Sequence, residues 1–159
     1  MKSLKIIKES EKVFLSFLIL LFMVAASYAQ DGKQKEKSTV VDHKDTELNW
    51  GGCPDFMPNG CNIAILHGDP ASNNADILFK VPANSDIPLH WHNSAERMIL
   101  ISGEMEVTYE GESTQILKVG SYGYGPAKKP HTAKCKDKGP CILFIAFEKP
   151  VDAFAGNGK

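Results

Sequence analysis

Between residues 62 and 147 apolar and polar side chains alternate with a period of two, and Gly, Pro, Asn or Asp interrupts the alternation every few residues. Ile77, Phe79 and Val81 are interleaved with Leu78 and Lys80, and Met105, Val107 and Tyr109 with Glu104, Glu106 and Thr108. Successive side chains of a strand point to opposite faces, so each run predicts a strand with an inner and an outer face. The pattern predicts strands over 62–66, 77–81, the histidine-bearing stretch from 88, 104–109, 114–117, 121–125, 132–135 and 141–147, with a first strand between 39 and 50. The run ILFIAF, 142–147, is apolar at both parities and is expected to be covered on both faces. Eight or more short strands without an amphipathic helix predict an all-β sandwich or barrel.

The stretch PLHWHNSAERMILISG, residues 88–103, carries the candidate chemistry. His90 and His92 are two apart, so on an extended strand both imidazoles leave one face. Glu96, Met98 and Leu100 keep the same parity, so an unbroken strand would send them into the same interior. Two neutral imidazoles and a carboxylate suit a first-row divalent metal, with positions open for water or substrate. A lone histidine on a strand is more often a satisfied side chain than a ligand. Here H-x-H comes with a same-parity Glu, a hairpin glycine and a further histidine downstream, and the combination favours a metal. Trp91 points away by parity, and packing on a sheet is its expected role. His67 precedes a turn and His43 lies among charges, so both are read as surface residues.

Residues 1–29 read as a secretory signal peptide: Lys2, Lys5, Lys8 and Lys12 precede an apolar run over 13–26, and Ser27, Tyr28 and Ala29 lead to cleavage after Ala29. That run falls short of the roughly 20 residues that span a bilayer as a helix. Residues 30–45 are expected as a flexible leader, 46–150 as the folded domain and 151–159 as a polar tail. The expected location is secreted or periplasmic, with no membrane partner after cleavage. From residue 30 onward fourteen Lys and Arg stand against seventeen Asp and Glu, which argues against nucleic acid as a partner. In an oxidising compartment Cys53, Cys61, Cys135 and Cys141 read as two disulfides. Four cysteines allow three pairings; proximity favours Cys53 with Cys61 and Cys135 with Cys141.

In SYGYG, residues 121–125, one parity carries Tyr122 and Tyr124 and the other almost no bulk. The tyrosines are candidate catalytic hydrogen-bond donors lining a pocket, weighed against the commoner fate of core or interface aromatics. Lys128 and Lys129 would attract an anion if they flank a pocket mouth, although exposed lysine pairs are usually only solvated.

With these residues in place, the chain resembles a small single-domain exported cupin over roughly residues 64–147. The family's first motif, G-x5-H-x-H-x3,4-E-x6-G, falls on Asn84, His90, His92, Glu96 and Gly103, with Asn84 standing for the leading glycine. The second, G-x5-P-x-G-x2-H-x3-N, falls on Gly120, Pro126, Lys128, His131 and Cys135, with Lys128 for a glycine and Cys135 for the asparagine. Neither departure removes a ligand. The resemblance implies a double-sheet jelly-roll barrel. Inside it His90, His92, Glu96 and His131 would converge on one divalent transition metal: Fe, Mn, Ni, Cu or Zn. It also implies a small-molecule ligand or substrate and a homodimer.

One scaffold hosts many functions, so fold and metal do not name the reaction. The enzyme reading is dioxygenase-type chemistry on a small oxygen-bearing molecule, with Glu96 doubling as proton acceptor and Tyr122 or Tyr124 orienting the substrate. The alternative is a non-enzymatic barrel that binds a small molecule with a metal inside. A third reading makes the metal a stabiliser only.

Overall fold

The inner and outer faces written into the sequence assemble in the computed structural model as two antiparallel sheets facing one another. The structure describes residues 37–156. The chain divides into two units, Met1–Val40 and Val41–Lys159. The expected signal peptide and its cleavage point lie outside the described residues, among which no helix is long and apolar enough to cross a membrane. The strands are β1 (Trp50–Gly52), β2 (Asn62–His67), β3 (Ala75–Val81), β4 (Asp86–Trp91), β5 (Glu96–Ser102), β6 (Glu104–Tyr109), β7 (Gln115–Lys118), β8 (Tyr122–Gly125), β9 (His131–Cys135), β10 (Cys141–Phe147) and β11 (Phe154–Ala155). One sheet runs β1-β2-β3-β10-β5-β8 and the other β11-β4-β9-β6-β7. This is the all-β double-sheet jelly roll that the sequence led us to expect.

The core is the meeting of the inner faces. Ile77, Phe79 and Val81 of β3, Met98 and Leu100 of β5, Met105 and Val107 of β6, and Leu143, Ile145 and Phe147 of β10 form one buried cluster. The doubly apolar last strand is explained by a second, smaller cluster on the outside. There Leu78 and Ile142 are buried beneath Leu48, Trp50, Leu66 and Phe144. Lys80 lies 3.8 Å above the Trp50 ring, its ammonium over the aromatic face.

Three expectations change. The stretch from Pro88 onward is two strands in opposite sheets rather than one: β4 ends at Trp91 and β5 begins at Glu96. Local side chains capture the backbone in between. Asp152 accepts hydrogen bonds from the Asn93 N–H and side-chain amide at 2.9 and 2.8 Å, and Ser94 Oγ accepts from the N–H groups of Glu148 and Lys149 at 2.9 and 3.1 Å. Both inner faces look into the same interior, so Glu96 reaches it from the other side.

The first strand shrinks to Trp50–Gly52, because Asp42 and Asp45 accept hydrogen bonds from the N–H groups of Lys44 and Glu47 and hold two turns across the end of the expected leader. The expected tail is part of the barrel as far as it is described. Val151 N–H donates to Pro70 at 2.8 Å, and β11 pairs with β4, stacking Phe154 on Trp91 with ring centroids 4.6 Å apart.

The turns use the residues that replace the motif glycines. Asn84 and Lys128 adopt φ of 57° and 61°, left-handed angles that a non-glycine residue seldom takes. Gly103, at φ 86°, is required on a second count: a Cβ there would meet Cys141 Sγ at 2.9 Å and Pro140 O at 3.0 Å. Of the three pairings open to the cysteines, Cys53 with Cys61 and Cys135 with Cys141 are formed, their Cα atoms 5.6 and 5.7 Å apart.

Candidate metal centre

Register across the five-stranded sheet brings the first ligands together. His90 of β4 pairs with His131 of β9, which pairs in turn with Tyr109 of β6. Directly opposed residues hold their Cβ atoms roughly 5 Å apart, so one row across three strands carries two imidazoles and a phenol. The His90 and His131 ring centroids are 4.1 Å apart, and those of Tyr109 and His131 4.7 Å. His92 follows just beyond the end of β4 and closes the group. The ligand atoms of His90, His92 and His131 all lie within 4.8 Å of one another. Glu96 enters from the opposite sheet, its Oε1 3.5 Å from His92 Nε2 and its Oε2 3.7 Å from His131 Nε2.

The three rings are held from behind. Nδ1 of His90 meets the Pro88 carbonyl at 2.7 Å, Nδ1 of His131 meets the Lys129 carbonyl at 3.1 Å, and Nδ1 of His92 meets the Asp152 carbonyl. A carbonyl only accepts, so each Nδ1 carries the hydrogen and each Nε2 is left with a lone pair directed inward. This is the arrangement by which outer partners orient metal-binding histidines. His92 Nε2 is buried with no hydrogen-bond partner, as expected of a ligand atom awaiting a cation. The residues present therefore fit a divalent metal. Lys128 supports the same point from its left-handed turn, donating its N–H to the His92 carbonyl at 2.7 Å.

Burial sets the protonation states. It pushes the His90 imidazole down to about 4, helped by the His92 charge, and that of His131 down to about 3, helped by His90. Burial raises the Glu96 carboxyl, with Asp152 adding to the rise and His92 opposing it. A lowered histidine takes up its proton more readily unfolded than folded, so stability falls as pH drops from about 6.5 toward the folded value. We therefore expect metal-free His131→Gln, which takes up no proton there, to lose less stability than wild type between pH 6.5 and 4. Urea midpoints at the two pH values would show it, and equal losses would remove the lowered His131 from the account.

An apolar cavity of about 230 Å³ opens beside this cluster, lined by Ile77, Phe79, Met98, Leu143 and Phe147 among others, with His90, His92 and Glu96 at its polar end. Pro54 and Met57, from the loop closed by Cys53 and Cys61, also contribute to the wall. A cavity of about 150 Å³ holds a benzene ring, so this one has room for a molecule of roughly ten non-hydrogen atoms.

The candidate donors Tyr122 and Tyr124 are a correction. They are 63% and 54% exposed on the outer face of β8, opposite Ile99 and Arg97, while Gly123 and Gly125 face inward. The bulky parity is the solvent side because Met98, Leu117, Tyr109 and Glu96 already fill the space inside. Lys129 pairs with Glu112. His43 lies beside Asp42 at 3.3 Å, and neither it nor His67 joins the cluster.

Two residues escaped the sequence reading. Tyr109 had the signal, since it shares a parity with Met105 and Val107. Asp152 lies sixty residues from His92 with no motif around it, and only the closed barrel brings them together.

A jelly-roll barrel with three histidines and a carboxylate converging in its interior is the class that this geometry defines. A family model described as Cupin domain matches residues 77–147, and this part of the chain is a cupin domain. Among solved structures it is similar to the DMSP lyase DddQ from Ruegeria pomeroyi DSS-3, with 18% identity and a TM-score of 0.60 over 70% of this chain and 62% of that one. It is similar also to an RmlC-like cupin from Shewanella frigidimarina NCIMB 400, with 18% identity and a TM-score of 0.54 over 70% and 93%. An acetylacetone dioxygenase from Acinetobacter johnsonii gives 24% identity and a TM-score of 0.57 over 79% and 85%. The chain spans less than two thirds of the length of the DMSP lyase chains it matches. These likenesses establish the fold. No curated protein matches the sequence.

Proposed function

We propose that the protein is a metal-dependent cupin that holds one divalent transition metal ion through His90, His92 and His131, with Glu96 as the fourth ligand, and acts on a small oxygen-bearing molecule. Dioxygenase-type chemistry is the favoured reaction. The observation that carries this reading is the set of three imidazoles whose Nδ1 atoms are all engaged by carbonyls, leaving three Nε2 atoms free in one cluster, two of whose members, His90 and His92, line the polar end of an apolar cavity. An ion bound there supplies Lewis acidity toward a substrate oxygen and, if redox-active, electron exchange with O2.

The chain's own residues do the rest. Burial keeps His90 and His131 neutral and available as donors. The Glu96 carboxyl, raised by burial, is suited to hold a substrate-derived proton when it is not ligated. The apolar walls exclude water and accept an apolar body, which fits a compact molecule with paired oxygens at one end.

A second reading, a binding module without turnover, is favoured by one observation. Asp152, the other acid lining the cavity, has both carboxylate oxygens engaged by Asn93, so Glu96 has no second acid to work with. The same proposal includes export, supported by the paired cysteines, and a homodimer, supported by the exposed Ile99, Tyr122 and Tyr124 on the outer face of one sheet. To test the activity, protein reconstituted with Fe(II), Mn(II), Ni(II), Cu(II) or Zn(II) is offered catechols, flavonols and diketones in an oxygen electrode. We expect O2 uptake with a redox-active ion that drops at least a hundredfold in Glu96→Gln. Ligand binding without turnover for every ion would leave the binding module.

A further inference from the structure

Two buried polar atoms among the described residues have no hydrogen-bond partner: His92 Nε2 and the Tyr109 hydroxyl. The first is accounted for by a metal, and the second has no role in the reading above. Tyr109 is 7% exposed, and its ring lies against His131 at 4.7 Å in the row His90, His131, Tyr109. The buried Glu96 carboxylate accepts no hydrogen bond among the described residues; the Nε2 atoms of His92 and His131 stand 3.5 and 3.7 Å from its oxygens. A donor without an acceptor and an acceptor without a donor thus border the same space. Gly125, paired with Glu96 across β5 and β8, is what keeps that space open. A Cβ at this position would lie 3.1 Å from Glu96 Oε2 and collide with the Tyr109 hydroxyl.

We propose that Tyr109 is a positioning residue whose phenol O–H donates to the Glu96 oxygen left free when the other oxygen holds the metal. The proposal rests on the metal reading given above. A monodentate carboxylate needs its second oxygen engaged if it is to keep one orientation toward the ion, and outer partners of this kind are worth about 10–100-fold in metal affinity. The competing role, a core aromatic, needs the ring but not the hydroxyl. Phenylalanine would fill the same volume without burying an unpaired polar atom.

Tyr109→Phe separates the two. The full chain is stripped of metal and titrated with Co(II), following visible absorption and calorimetry, and the metal-free forms are unfolded in urea. Metal-free Tyr109→Phe is expected to unfold at the same or a higher urea concentration than wild type. Its Co(II) affinity is expected to fall about tenfold, with a Co(II) absorption band altered in position or intensity. Affinity and spectrum identical to wild type would overturn the proposal, and so would a weaker affinity whose spectrum is unchanged and whose metal-free form is destabilised.

A second measurement does not depend on the variant folding. Adding colourless Zn(II) to wild type is expected to produce a near-ultraviolet tyrosine difference spectrum, as a buried phenol becomes a donor, and a flat difference would overturn the proposal. A wild-type protein that takes up neither ion would overturn the metal reading itself and this proposal with it.

Discussion

Replacing His131 with alanine is expected to empty the metal site: metal analysis of the purified protein should fall from near one ion per chain to near zero. His90→Ala should do the same. Each imidazole is one of three donors already oriented by a backbone carbonyl. Removing a ligand outright should cost more than the roughly 10–100-fold lost when an outer partner is removed. The remaining pair of imidazoles and Glu96 form a weaker three-donor set, which should give up the ion when the protein is purified against a chelator. His43→Ala and His67→Ala serve as controls, since neither residue belongs to the cluster, and both should keep the ion. Full metal content in His131→Ala would show that the ion sits elsewhere, and native protein that takes up no metal would sink the reading altogether.

Leu100→Ala is expected to lower the free energy of unfolding by about 2–5 kcal/mol, while its neighbour Ile99→Ala should cost well under about 1 kcal/mol. Leu100 is fully buried on the inner face of β5, opposite Leu143 of β10, and Ile99 faces outward with 41% of its surface exposed. Truncating a buried leucine loses its transfer free energy and leaves a cavity that rigid sheets cannot collapse. Domains of this size are typically stable by only about 5–15 kcal/mol, so the loss is a large part of the total. Urea midpoints of the two variants check the pair, and equal costs would overturn the assignment of inner and outer faces.

Period two was strong enough in β3 and β6 to predict strands with an inner and an outer face, while β10, apolar at both parities, was expected to be covered on both faces. It worked there because those strands are long and one face meets the opposing sheet. It failed for Tyr122 and Tyr124: their alternation was read correctly, but parity alone does not say which face is inner. That was decided by Gly123 and Gly125, whose missing side chains are demanded by Met98 and Glu96 on the neighbouring strand β5 and by Tyr109 on the opposing sheet. The first strand was lost because Asp42 and Asp45 turn the backbone locally, a competition that apolar alternation does not record.

The site divides along the same line. The sequence by itself supplied candidate ligands: H-x-H places two imidazoles on one face, Glu96 follows at even spacing, and the resemblance to the cupin motifs adds His131. It also determined the fold class, because alternation, turn residues and the absence of helical period are local properties of the chain. Only the tertiary structure decided that Glu96 arrives from the opposite sheet, that Tyr109 lies in the row with His131 and His90, and that Asp152 holds His92 from behind. Those are matters of register and closure. They depend on which strands become neighbours, and a strand's own pattern carries no record of the residue that will face it across the barrel.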